Sequence, residues 1–580
     1  MFSQLKDSLT FLLPVFQPIF NVTSIPGPIV DLGYAAYEGS FDPANNVTQF
    51  LGVRYAAPPT GENRWRPPQP PLHEEGILQA TESARICLQG SWGNAKSAPS
   101  FARGKKTAEK ADLLQQVRSV SANDMHTAFT SAPADEDCLF LNVYTSGDFE
   151  AQAREPIPVL VWLHGGGYFS GSAIGYHGND GYDGKYPLKR ANGGLVVVVP
   201  QYRLGMFGFL PGKEVHESGA SNAGLLDQQF ALQWVKDNAS FSLLTTSLFH
   251  IILLQIHKFG GNPSDVSIWG ESSGGGSVYH HVVANGGQTS PPLFNAAIIS
   301  SSFHPLEYYV DDDVSEAIFN EVLKQTGCRN LDCLRKIDVA VLQKLNLDMC
   351  VSAFSNTHPF APVIDRTFIR ESLSHAVAEG RVNGKHLLAV TNANEGEMFM
   401  TVFRQFNESF DISFWLRNTY PKIEDEDIER AISLYADLDP IDQARLMYAD
   451  ITFLCPTYNI LRAFDKPYRA QFAVNPALHA FDIGYYFPDF YNLFPKTYDN
   501  AEFETAFSSI FTNFALSKDP NVKVAEDITP DWAPWTEEEL VEMIFGATEE
   551  GAPDVHAATT DKVVLERCSF WGSIAPHVGQ

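Results

Sequence analysis

A chain of 580 residues, 44% of them hydrophobic, can bury a large core, and open α/β sheets absorb such a length as one domain. Its 69 acidic against 41 basic residues leave a net charge of −28, which repels phosphate backbones and argues against nucleic-acid binding. The seven cysteines form no C-x-x-C pair or Cys/His cluster of zinc spacing, so no metal is expected, and their odd number leaves at least one thiol unpaired in an oxidised chain.

Residues 1–24 are a candidate leader: Lys6 precedes an apolar run from Leu9 to Phe20, interrupted by Pro14 and Pro18, with no clean cleavage site after it. N-x-S/T sequons at Asn21, Asn46 and Asn407 add weight to a secreted glycoprotein. The rest, 25–580, is read as one domain. The best candidate for a membrane span, Phe241 to Ile256, is shorter than the roughly 20 residues a span needs and contains His250.

Short apolar runs alternate with amphipathic stretches, the pattern of a large, mostly parallel central sheet with helices on both faces. The segment from Leu88 to Asp137, rich in Ser, Ala, Lys and Gln with a helical stretch at Thr107 to Val120, is either a lid-like insertion or a surface loop. Ile157 to Leu163 and Leu195 to Val199 read as buried strands, and Asn222 to Asn238 has helical periodicity. Ala239 to Gln255 is apolar without a period or a polar face. Val266 to Trp269, Ala296 to Ile299 and Leu387 to Thr391 read as further strands.

Gly270-Glu271-Ser272-Ser273-Gly274 is a G-x-S-x-G following a short strand and opening a run that is able to be helical. A sharp strand-to-helix turn of this kind exposes the serine and aims the next backbone N–H at a developing oxyanion. Alone it is a weak signal. It gains force from His164-Gly165-Gly166-Gly167 at the end of an earlier strand, where bare backbone N–H groups are able to wrap a substrate carbonyl. A serine nucleophile needs an imidazole base and an orienting acid, in the chain order Ser, acid, His. His479, followed by Asp482 and Tyr485-Tyr486-Phe487, is preferred to His556 and His577. Glu395, after the predicted strand and before Gly396, is the best acid, with Glu397 and Asp365 as rivals. Glu271 is too near the serine to reach the far side of the imidazole and is assigned a structural role.

These residues resemble the type-B carboxylesterase/lipase family, which includes cholinesterase-like proteins, and are most similar to its fungal extracellular members. The resemblance runs from about Phe50 to Trp571. It is carried by Phe50 to Pro59 with Arg64-Trp65, by Glu136 to Tyr144, by Tyr202-Arg203-Leu204-Gly205, by Asn222 to Leu225 with Asp227-Gln228, and by Asp519-Pro520-Asn521. It implies an α/β-hydrolase fold and hydrolysis of carboxylic esters without a cofactor, by Ser272, Glu395 and His479, with oxyanion donors at Gly166, Gly167 and Ser273. It also implies disulfides Cys87–Cys138 and Cys328–Cys333, and a hydrogen-bonding role for Ser301 behind the triad. The implied partner is a small-molecule or lipid ester, with transient contact at a lipid interface. The competing class is a non-catalytic, cholinesterase-like binding protein.

Several departures stand out. Arg54 occupies a position where proline is usual, Ser273 replaces alanine, and Glu395 and His479 are only 84 positions apart. The loop between Cys87 and Cys138 is long, as for a lid. Ala239 to Gln255 has no counterpart in the family, and joining Asn238 to Ile256 restores the expected helix and turn. These 17 residues read as a gene-model insertion.

Overall fold

The computed structural model describes residues 27–102, 133–147, 155–176, 181–236, 255–405, 410–492 and 496–580. The leader, the helical stretch at Thr107 to Val120, and all of Ala239 to Gln255 except Gln255 lie outside these residues, as do the sequons at Asn21 and Asn407. Asn46 is exposed.

Eleven strands build the main sheet: β1 (Ser40–Asp42), β2 (Val47–Arg54), β3 (Phe140–Ser146), β4 (Ile157–Leu163), β5 (Val196–Pro200), β6 (Gly261–Glu271), β7 (Ala296–Ser300), β8 (His386–Asn392), β9 (Tyr468–Phe472), β10 (Val541–Ala547) and β11 (Pro553–Thr559). Their order across the sheet is β11-β10-β9-β8-β7-β6-β4-β5-β3-β2-β1. From β10 to β5 neighbours run parallel, whereas β1 to β3 and β11 are joined antiparallel at the two edges.

The continuous apolar runs of β4 and β5 follow from burial on both faces. Val159, Val161 and Leu163 enter one core with Val196 and Val198, while Leu160 and Trp162 enter a second with Val197 and Val199. Two cores, one against each face of the sheet, make this an α/β-hydrolase fold. Helix Ala223–Lys236 forms where periodicity predicts it. Strand β6 begins earlier than expected: Gly261 pairs with Ile157, and an irregularity then carries the chain to Val266. Asn262-Pro263-Ser264-Asp265 in that bulge hides the strand from a pattern reading.

Charged residues of the motifs quoted above form ion pairs, two of them buried. Arg203 clamps Asp227 bidentately, through Nε at 2.7 Å and a terminal nitrogen at 2.7 Å. Arg64 does the same to Glu136. Removing one partner of such a pair costs about 3–5 kcal/mol because the other charge stays buried. Arg54 pairs with Asp137 at 2.7 and 2.9 Å and lies 4.3 Å over the Phe140 ring.

Disulfides join Cys87 to Cys138 and Cys328 to Cys333. A third, Cys455–Cys568, was not anticipated, since the two cysteines stand 113 positions apart with no local signal. Cys350 is the buried free thiol. Among the described residues no helix is long and apolar enough to cross a membrane, and no group of His, Cys, Asp and Glu is arranged to hold a metal ion.

Candidate active site

Strand β6 ends at Glu271, and helix Ser273–Gly287 begins two residues later, with non-helical backbone at Ala284, Asn285 and Gly286. The turn between them puts Ser272 at φ 56° and ψ −126°, a backbone conformation that side chains rarely adopt. Glycine makes it buildable. A Cβ on Gly274 would lie 2.0 Å from the carbonyl oxygen of Leu163, and one on Gly270 would lie 2.3 Å from that of Gly274. The turn is also pinned from outside, because Ser272 N–H donates to Ser300 O at 3.0 Å and Phe303 N–H donates to Ser272 O at 2.9 Å.

Two loops beyond the ends of β8 and β9 bring in the other groups. They are stitched to one another: Asn394 N–H donates to Ala477 O at 2.9 Å, and the Asn394 side-chain amide donates to Pro476 O at 2.8 Å. This brings Glu395 and His479, 84 positions apart, into contact: His479 Nδ1 lies 2.6 Å from Glu395 Oε2. The other Glu395 oxygen accepts Asn392 N–H at 2.7 Å. His479 Nε2 lies 2.9 Å from Ser272 Oγ. A carboxylate at Nδ1 places the proton on that nitrogen and leaves Nε2 to accept the serine proton. All three side chains are buried.

The glycine loop runs directly beside the serine. A Cβ on Gly165 would lie 3.0 Å from Ser272 Cβ. Gly166 and Gly167 have φ of 117° and 64°, and an added Cβ would come within 2.1 Å of Ser170 O at the first and 2.5 Å of the Phe169 ring at the second. Ser273 is the first residue of its helix, where a backbone N–H has no partner within the helix. His164 stacks on Tyr202 at 4.2 Å, and burial pushes its imidazole down to about 4, so it is neutral.

The rival residues are engaged elsewhere. Asp365 accepts from the Asn222 side chain at 2.9 Å and from the backbone N–H groups of Thr367 and Ile369. Glu397 pairs with Arg445 at 3.4 Å. His556 and His577 pair with Asp554 and Asp427. Ser301 Oγ accepts from the Asn392 side chain at 3.0 Å, and the same amide donates to Asp482 at 3.0 Å. Tyr486 OH donates to the other Asp482 oxygen at 3.0 Å.

Residues 27–242 and 246–571 match the sequence profile of the carboxylesterase family. The chain belongs to the carboxylesterase family. Carboxylesterase patB of Aspergillus clavatus is 29% identical to it over 484 residues, 78% of this chain and 82% of that protein. The para-nitrobenzyl esterase of Bacillus subtilis is 30% identical over 376 residues, 64% of each chain. The crystal structure of Aspergillus niger EstA superposes with a TM-score of 0.74 at 26% identity, covering 96% of this chain and 99% of that one. This carboxylesterase is accordingly a carboxylic ester hydrolase.

What the sequence did not announce is the cluster of aromatic rings beside the candidate site. The ring of His479 lies 4.6 Å from Phe453 and 5.4 Å from Phe399. Phe399 is 5.9 Å from Trp92, which meets Phe169 edge-on at 4.9 Å. These rings come from four separate segments, and no spacing relates them.

Proposed function

We propose that this carboxylesterase hydrolyses esters with apolar acyl or alcohol groups through an acyl-serine intermediate. The observation that carries the reading is the position of His479, 2.9 Å from Ser272 Oγ on one side and 2.6 Å from Glu395 on the other. Ser272 Oγ attacks the carbonyl carbon while His479 Nε2 takes its proton, and Glu395 stabilises the imidazolium. The tetrahedral oxyanion is held by the backbone N–H groups of Gly166, Gly167 and Ser273. His479 returns the proton to the departing alcohol, then activates the water that releases the acid. The glycine loop against Ser272 and the helix start at Ser273 support these assignments.

Aromatic rings on both flanks of the site support an apolar substrate. The segment 88–137 is proposed as a lid within a single domain spanning 25–580. Trp92, near the start of that segment, already packs on Phe169 and Phe399 beside His479. A lid of this kind favours long-chain or aggregated esters and transient contact with a lipid surface. Three disulfides support a secreted protein with a cleaved leader. We also propose that residues 239–255 are absent from the mature protein; their codons in the sequenced transcript would end that idea.

The test is a chain-length series of 4-nitrophenyl esters on the purified protein and on Ser272→Ala. The expected outcome is near-complete loss in the variant. Equal rates would remove the assignment and favour a non-catalytic, cholinesterase-like binding protein.

A further inference from the structure

A cavity of about 310 Å³ lies apart from the triad, between helices Lys185–Arg190 and Ala501–Ser517, the turn Ile483–Tyr486 and strand β6. Its lining includes Lys189, Arg190, Trp269, Tyr485, Tyr486 and Thr512. We propose that this cavity is a second binding site, for a small organic anion with one aromatic or aliphatic body and one carboxylate.

The charge pattern is the first ground. In a chain with a net charge of −28, two adjacent cations face one cavity without a carboxylate partner. The half-buried side chain of Arg190 makes no ion pair or hydrogen bond among the described residues. The acids that act on it from a distance, Glu504 and Asp527, are taken by Lys496 and Lys523. Lys189 gives one N–H to the side-chain oxygen of Asn45 at 2.8 Å and keeps two. A guanidinium with its fork of donors free matches a carboxylate bidentately.

The walls define the rest of the ligand. Tyr486 OH is committed to Asp482, and Tyr485 OH donates to Tyr498 O at 3.1 Å. Their hydroxyls are therefore engaged, and so is the indole N–H of Trp269, which donates to Ser300 Oγ at 3.0 Å. A concave site lined by aromatic residues and two adjacent cations, of this volume, suits a ligand the size of a benzoate or a short fatty acid. Organic acids are also what ester hydrolysis releases, so such a ligand is available wherever the enzyme works.

Isothermal titration calorimetry with 4-bromobenzoate tests the site. Saturable binding of one ligand per chain is expected, weakened at least about tenfold in Arg190→Gln, the scale of a lost charged hydrogen bond. The melting temperature and circular dichroism of Arg190→Gln establish that it is folded. The neutral analogue 4-bromobenzamide is expected to bind at least about tenfold more weakly than the acid. Independently of any variant, crystals soaked in 4-bromobenzoate are expected to place bromine between Arg190 and the two tyrosines by its anomalous signal. No binding, equal binding to Arg190→Gln, equal binding of the amide, or bromine only beside Ser272 would each overturn the proposal.

Discussion

A carboxyl oxygen of Glu271 lies 3.5 Å from Nε2 of His479, the nitrogen that also meets Ser272 Oγ. Burial, reinforced by the nearby Asp482 and Glu395, holds the Glu271 carboxyl well above the usual carboxylate range. Its charged form is therefore disfavoured, while Glu395 faces the other ring nitrogen. Glu271→Gln, an uncharged isostere, is expected to keep kcat/KM within about fivefold. Glu395→Gln is expected to lose about 10⁴-fold, because it no longer fixes the tautomer or stabilises the imidazolium. Comparable losses in the two variants would show that Glu271 acts as a charge.

Gly166 has no room for a side chain, at φ 117° with Ser170 O only 2.1 Å from the place a Cβ would take. Gly166→Ala must displace the loop and with it the N–H groups proposed to hold the oxyanion. A fall in kcat of about 10²–10³ is expected, the cost of one lost donor. KM should move little, and the melting temperature should fall because the added Cβ strains the loop. Steady-state kinetics beside a thermal melt decide the matter, and an unchanged kcat would remove Gly166 from the oxyanion hole.

The candidate serine, acid and glycine loop could be singled out because each carries a steric reason in neighbouring residues. Gly270 and Gly274 flank Ser272 where the backbone passes Leu163, and Gly396 follows Glu395, where a Cβ would lie 2.0 Å from Arg445 O. The buried strands β4 and β5 announced themselves as unbroken apolar runs. Strand β9 did not: Tyr468-Arg469-Ala470-Gln471-Phe472 is short and carries an arginine, which becomes fully buried and bonds Thr391 Oγ1 at 2.5 Å. Its pairing with β8 across a long excursion is a property of the sheet rather than of the segment. The aromatic cluster and the Cys455–Cys568 bond were hidden for the same reason, since only the fold brings those positions together.

Asp482 supplies a pH test. Burial raises its carboxyl from 3.8 to about 6, despite hydrogen bonds from Asn392 and Tyr486 that pull the other way. The folded state thus keeps this proton to higher pH than the unfolded chain does. Stability is lost as pH rises from about 4 to about 6, by roughly 3 kcal/mol at about 1.4 kcal/mol per pH unit. Relative to Asp482→Asn, the wild type should therefore lose stability over that window and hold a constant difference above it. Urea denaturation at a series of pH values measures this, and a difference independent of pH would contradict it.

The disulfides should differ in weight. Cys455–Cys568 closes a loop of 113 positions and Cys328–Cys333 one of 5. By loop closure the first contributes about 4–5 kcal/mol and the second well under that. The double substitution Cys455→Ala, Cys568→Ala should lower the melting temperature clearly more than Cys328→Ala, Cys333→Ala does. Equal effects would mean that strain or local packing, not chain entropy, sets their value.

Cys87 and Cys138 bracket the whole stretch proposed to cover the site. A protease that nicks the backbone anywhere between them releases neither fragment, because the sulfur bridge still holds both new ends to the body. Such a cut would pass unseen on a gel run without reductant and appear as two bands once dithiothreitol is added. The enzyme can thus suffer scission of this proposed cover and remain one particle.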